Sequence, residues 1–79
     1  MTTIGVTVPD PGESEEIEIL ALHAGVGDTV TEGQIVVEVA TDKVNVDVEA
    51  PVAGRVVSVL VSVGDFVAPD AVLLEIDGG

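Results

Sequence analysis

The sequence predicts an all-β domain made of two similar halves, and three observations carry that prediction. The chain has 79 residues, 47% of them hydrophobic, with Phe66 as its only aromatic, so Val, Ile and Leu supply nearly all the packing volume. Short runs alternate apolar with polar residues, and no stretch has helical periodicity. Finally, "GVGDTVTEGQIVVEVATD" aligns without a gap on "SVGDFVAPDAVLLEIDGG", at the constant offset of 37 residues that separates Gly27 from Gly64. A chain this short buries only about 60% of the surface its unfolded form exposes, so one core and one domain are expected.

Taken in order, "VPDPG" at residues 8–12 reads as a loop, because two prolines interrupt any ladder. Ile17, Ile19 and Ala21 alternate with Glu16 and Glu18, predicting a strand that ends before the Gly27-Asp28 turn. Ile35, Val37 and Val39 alternate with Val36 and Glu38. The "ATDK" of residues 40–43 then reads as a hairpin turn, with Thr41 and Asp42 able to tie the backbone through side-chain oxygens. In the next strand Val44, Val46 and Val48 face one way, and Asn45, Asp47 and Glu49 the other.

The second half repeats the scheme. Val57, Val59, Val61 and Val63 alternate with Ser58, Leu60 and Ser62, predicting one buried face ahead of the Gly64-Asp65 turn. Glu32-Gly33 and Pro69-Asp70 supply a further turn in each half. Across the repeat, Ile19, Leu20 and Leu22 recur as Val56, Val57 and Val59, and Val30 and Glu38 recur as Val67 and Glu75. Two copies are too few for a solenoid, which leaves a closed pair with approximate two-fold symmetry.

Charge and composition exclude several functions. A formal net charge of −13 with two basic side chains offers no basic patch for nucleic acid or an anionic membrane, so partners should be basic or indifferent to charge. Without cysteine there is no disulfide or thiolate chemistry, which fits a reducing compartment. "MTTIGVTVPD" has no basic leader, and no run reaches the 18 apolar residues of a membrane span. A soluble, cytoplasmic chain is therefore expected. His23 is the only histidine, the acids lack calcium-loop spacing, and Ser14, Ser58 and Ser62 have no base nearby, so neither a metal site nor a catalytic constellation is expected. Arg55 is expected to pair with one of the many carboxylates.

Lys43, the sole lysine, stands out within "VATDKVNVDVEAP". Its counterpart under the repeat would fall beyond the last residue, so it marks the junction of the halves, which a two-fold fold sets opposite the termini. A lysine beside a hairpin turn can simply be a solvated charge that discourages edge pairing. The "TDKV" motif nevertheless resembles the attachment site of the lipoyl domains in dihydrolipoyl acyltransferase components of 2-oxo acid dehydrogenase complexes. The resemblance covers nearly the whole chain, with "VPDPGESEEIEIL" similar to that family's first strand and loop, the segment from "VGDTVTEG" to "VSVGDFV" to its centre, and "VLLEID" to its last strand.

The resemblance implies a flattened barrel, a barrel-sandwich hybrid of two four-stranded antiparallel sheets with quasi-two-fold symmetry and a lysine at a hairpin tip. It makes Lys43 the attachment point of lipoic acid, held as lipoyllysine, with Thr41, Asp42 and Val44 read by the modifying enzyme. Gly54 matches a glycine found at a fixed interval after that lysine, and Gly27 and Gly64 match the turn glycines. Ala40 departs from the pattern, since many members carry glutamate three residues before the lysine.

Also implied is a single domain over residues 1–79, monomeric and not itself an enzyme, forming the amino-terminal part of a longer multidomain acyltransferase. "IDGG" fits the start of a flexible linker. Such a domain is a swinging arm that carries acyl groups and reducing equivalents. Its partners would be the 2-oxo acid decarboxylase/dehydrogenase component, the acyltransferase core, dihydrolipoamide dehydrogenase, and a lipoate ligase or lipoyl transferase. "VPDPGESEEIEIL" leans towards the pyruvate complex, with the 2-oxoglutarate and branched-chain complexes open.

Glu38, Asp47 and Glu49, with Asp42, could form an acidic collar that docks on basic partners; ordinary solvated strand faces account for them equally well. A biotin carrier is the nearest rival but typically flanks its lysine with methionines, whereas the neighbours here are Asp42 and Val44 and the sole methionine is Met1. A glycine-cleavage carrier would be longer. A purely structural module leaves the lysine unexplained.

Overall fold

The computed structural model of the protein describes residues 2–9 and 16–78. Its eight strands are β1 (Thr3–Val6), β2 (Ile17–Leu22), β3 (Thr29–Val30), β4 (Ile35–Ala40), β5 (Asn45–Glu49), β6 (Gly54–Val59), β7 (Phe66–Val67) and β8 (Leu74–Asp77). Among the described residues there is no helix, as the β-branched content predicts. The expected loop at residues 8–12 lies, from residue 10 on, outside the described residues, as does Ser14.

The strands form two four-stranded antiparallel sheets, ordered β1-β8-β6-β3 and β5-β4-β2-β7. The repeat maps one sheet onto the other, β2 onto β6, β3 onto β7, β4 onto β8, and β5 onto β1. The short strands are exchanged: β3 pairs with β6 of the second half, and β7 with β2 of the first. Hydrogen bonds repeat with the strands. Ile19 N donates to Asp65 O (2.9 Å) and Gly64 N to Ile19 O (2.8 Å), while Val56 N donates to Asp28 O (2.9 Å) and Gly27 N to Val56 O (2.8 Å).

The turns repeat as well. Asp28 Oδ2 accepts from Gly25 N, and Asp65 Oδ2 from Ser62 N, both at 2.8 Å. Gly27 and Gly64 adopt φ of +95° and +93°, a backbone conformation open to glycine and costly for other residues, which explains the paired "GD" dipeptides. Gly54 is required for a different reason. At the start of β6 a Cβ would run into the carbonyl oxygen of Asp77 and come within 2.8 Å of Ile76 Cγ2 on β8.

Between the sheets lies one aliphatic core, including Ile17, Ile19, Val37, Val39, Val48, Val56, Leu74 and Ile76, all fully buried, with no buried polar or charged side chain among the described residues. Each such side chain contributes about 1.5–3 kcal/mol relative to exposure.

Strict alternation fails at three bulges and at two turn residues, Val44 and Val63. A bulge between Val56 and Ser58 puts Val56 in the core and leaves Val57 exposed, and Val63 lies exposed in the turn, so the expected Val57, Val59, Val61 and Val63 face is only partly buried. The equivalent bulge lies between Ile19 and Ala21. A bulge between Ile35 and Val37 buries both Val36 and Val37 and leaves Ile35 exposed. Val44 closes the hairpin turn rather than opening β5 and is 59% exposed, unlike Val46 and Val48. Arg55, expected to pair with a carboxylate, forms no ion pair with a described residue. Its Nη2 instead approaches the Gly27 turn, 3.9 Å from where a Cβ would stand.

Candidate functional site

The hairpin between β4 and β5 ends in Thr41-Asp42-Lys43-Val44, and the turn is held by its own first residue. Thr41 N donates to Val44 O (2.8 Å). The Thr41 hydroxyl donates to the same carbonyl (2.9 Å) and accepts from Val44 N (3.2 Å) and, more weakly, from Lys43 N (3.4 Å). The turn therefore begins one residue later than the sequence suggests. Asp42, Lys43 and Val44 are all exposed, and Lys43 Nζ forms no ion pair with a described residue. By the two-fold relation this turn corresponds to the chain ends, where Gly78 N donates to Thr2 O (2.9 Å) in place of the Thr41–Val44 bond.

This geometry presents a primary amine at the end of a rigid sheet, with no described acid or imidazole paired to it. It can accept an acyl group from an activated donor. No described group of three His, Asp or Glu side chains could hold a metal ion.

Of the acids proposed as a collar, Asp42 adjoins the lysine on the exposed turn and the others lie along the strands. Glu38 and Asp47 are directly opposed on β4 and β5 and share the outer face of the sheet. Glu38 also pairs with His23 Nε2 at 3.2 Å, both side chains being about half exposed. Glu49 lies opposite Ile35, at the far end of the sheet. The structure adds two residues that sequence reasoning passed over: Glu18, opposite Ala40, and Phe66, opposite Glu18, both on the row that ends at the base of the hairpin. Their placement rests on strand order, which no local pattern reveals.

Comparison with known proteins agrees with this geometry. The family described as "Biotin-requiring enzyme", the biotin/lipoyl attachment family, matches residues 4–76, and the chain belongs to it. It is 40% identical, over 96% of its length, to the dihydrolipoyllysine-residue acetyltransferase component of the pyruvate dehydrogenase complex of Cupriavidus necator, covering 14% of that protein. It is 38% identical, over 99% of its length, to the lipoamide acyltransferase component of the branched-chain alpha-keto acid dehydrogenase complex of Pseudomonas aeruginosa, covering 19% of it. The chain thus spans less than a fifth of the length of these relatives. Its fold matches the solution structure of the lipoyl domain of the 2-oxoglutarate dehydrogenase complex from Azotobacter vinelandii, with a TM-score of 0.75 at 24% identity, covering 96% of this chain and 99% of that one.

Proposed function

We propose that Lys43 carries lipoic acid in amide linkage and that the domain is the swinging arm of a 2-oxo acid dehydrogenase complex. The observation that carries this reading is the one lysine of the chain, exposed and with no ion pair to a described residue, on a turn that Thr41 braces. The bound group would supply the thiol-disulfide and acyl-carrying chemistry that a chain without cysteine lacks. Lys43 supplies the attachment nitrogen, the Thr41–Val44 turn fixes where the arm leaves the sheet, and the aliphatic barrel keeps that exit point rigid. Attachment removes the lysine's charge and leaves the hairpin end more acidic. Asp42, Val44 and Thr41 are the residues a modifying enzyme would read.

Within this reading the parent chain is a dihydrolipoyllysine-residue acyltransferase of the pyruvate complex, acting in the cytoplasm. The 40% identity to a pyruvate-complex component supports it, although a branched-chain component stands almost as near at 38%. Partners would be the decarboxylase/dehydrogenase, the acyltransferase core, dihydrolipoamide dehydrogenase and a lipoate ligase or lipoyl transferase. The test is the intact mass of wild type and Lys43→Arg after incubation with lipoate ligase and lipoate, and separately with biotin ligase and biotin. A single lipoyl increment that the variant loses supports the carrier. A biotin increment alone would transfer the domain to the carboxylases, and no increment with either would leave Lys43 an ordinary turn residue. Acylation of the loaded domain by pyruvate, 2-oxoglutarate or branched-chain enzyme then identifies the complex.

A further inference from the structure

The two halves of the barrel are each other's control, because equivalent positions do the same work in folding. On the outer face of the lysine-bearing sheet, one register row runs Phe66, Glu18, Ala40, Asn45 and stops at the base of the hairpin. The equivalent row on the other sheet runs Thr29, Arg55, Asp77, Thr3. The next outward-facing positions are Glu38 and Asp47 on the first sheet, Glu75 and Gly5 on the second. One face thus carries Glu18, Ala40, Glu38 and Asp47 where the other carries Arg55, Asp77, Glu75 and Gly5, three acids against two acids and an arginine.

The only aromatic of the chain sits at the edge of the acidic face, 64% exposed, where its equivalent is a threonine. Threonine serves the fold at Thr29, so the barrel does not need the ring at Phe66. An exposed aromatic costs solvation without contributing to the core, and such residues flanked by charge are the usual anchors of protein interfaces.

We infer that this face, anchored by Phe66 and flanked by Glu18 and Asp47, docks the enzyme that loads the arm, through a basic surface with an apolar recess for the ring. The inference rests on the carrier reading above. The occupant follows from charge complementarity: on a chain of net charge −13, the lysine-bearing face sets Glu18, Glu38 and Asp47 along its rows with no Lys or Arg among them, whereas Arg55 offsets one of the two acids, Asp77 and Glu75, on the other. Its place follows from register. Phe66 is three strands from Asn45, roughly 14 Å at the usual strand spacing. An enzyme that modifies Lys43 must seat the amine itself and reads the turn; one that meets the extended arm can rest beside it.

The experiment uses lipoylated domain as substrate for purified pyruvate, 2-oxoglutarate and branched-chain 2-oxo acid dehydrogenases, following reductive acylation of wild type, Phe66→Thr, Glu18→Gln/Asp47→Asn and, as control, Thr29→Ala. For the enzyme that uses the wild type, Phe66→Thr should raise KM for the domain about fivefold or more, with kcat and the rate of lipoate attachment within about twofold. The charge variant should raise KM at low salt and lose that effect at high salt. Thr29→Ala should change nothing. An unchanged KM for a Phe66→Thr domain that melts like wild type overturns the docking face and leaves the carrier reading standing. Equal loss of attachment and acylation would also overturn it, placing Phe66 in the fold or the ligase contact. A wild type that accepts no lipoyl group removes both readings together.

Discussion

The hydroxyl of Thr41 grips Val44 from both sides, donating to its carbonyl at 2.9 Å and accepting from its amide at 3.2 Å. Lys43 is thereby held in a closed loop of main chain whose bracing comes from within the turn. The side chain of Ala40, the last residue of β4, takes no part in that bracing.

Thr41→Val keeps the shape and removes the hydroxyl. Amide exchange at Val44 should quicken, and lipoate attachment at Lys43 should slow several-fold, while global stability falls by no more than about 1 kcal/mol, the usual worth of such hydrogen bonds. Thr41→Ser should restore both. Exchange-detected NMR and a timed mass assay check the pair, and equal attachment rates in the two variants would refute the bracing role.

Gly54→Ala should be among the most damaging single-methyl additions to this domain. The added carbon meets backbone at Asp77, which cannot swing aside, so β6 and β8 must separate. A loss of about 2–4 kcal/mol in urea unfolding is expected. Gly64→Ala has open space around it and pays only for its φ of +93°, about 1–2 kcal/mol.

Glu38→Gln should leave stability nearly unchanged. It weakens a half-exposed contact to His23, worth less than about 1 kcal/mol, and at the same time relieves the opposed Asp47 carboxylate. His23→Gln removes the attraction alone and should be the more destabilising of the two. Paired chemical denaturation curves in low salt compare them.

Val30→Ala should cost about 2 kcal/mol, because both lost methyls come from a buried side chain on β3. Val67→Ala, its equivalent on β7, is half-buried and should cost about half as much. The same denaturation assay separates them.

Much of this was legible from residue order. The two "GD" turns, the repeat and the solitary lysine all depend on local chemistry, and local chemistry is what a sequence displays. Val57 and Ile35 misled because a bulge adds one residue and reverses the side that every later side chain faces. How the acids are distributed was not legible, for a longer-range reason. That Glu38 meets His23 depends on how β2 registers on β4, and that register is set by packing across the whole sheet.

The exchange of β3 and β7 has a consequence for how the domain comes apart. Each sheet borrows its edge strand from the opposite half, so neither half is a complete folding unit, and melting one strips a strand from the other. The barrel should therefore unfold in a single step by every probe, with no half-melted species to release the lysine hairpin from its support.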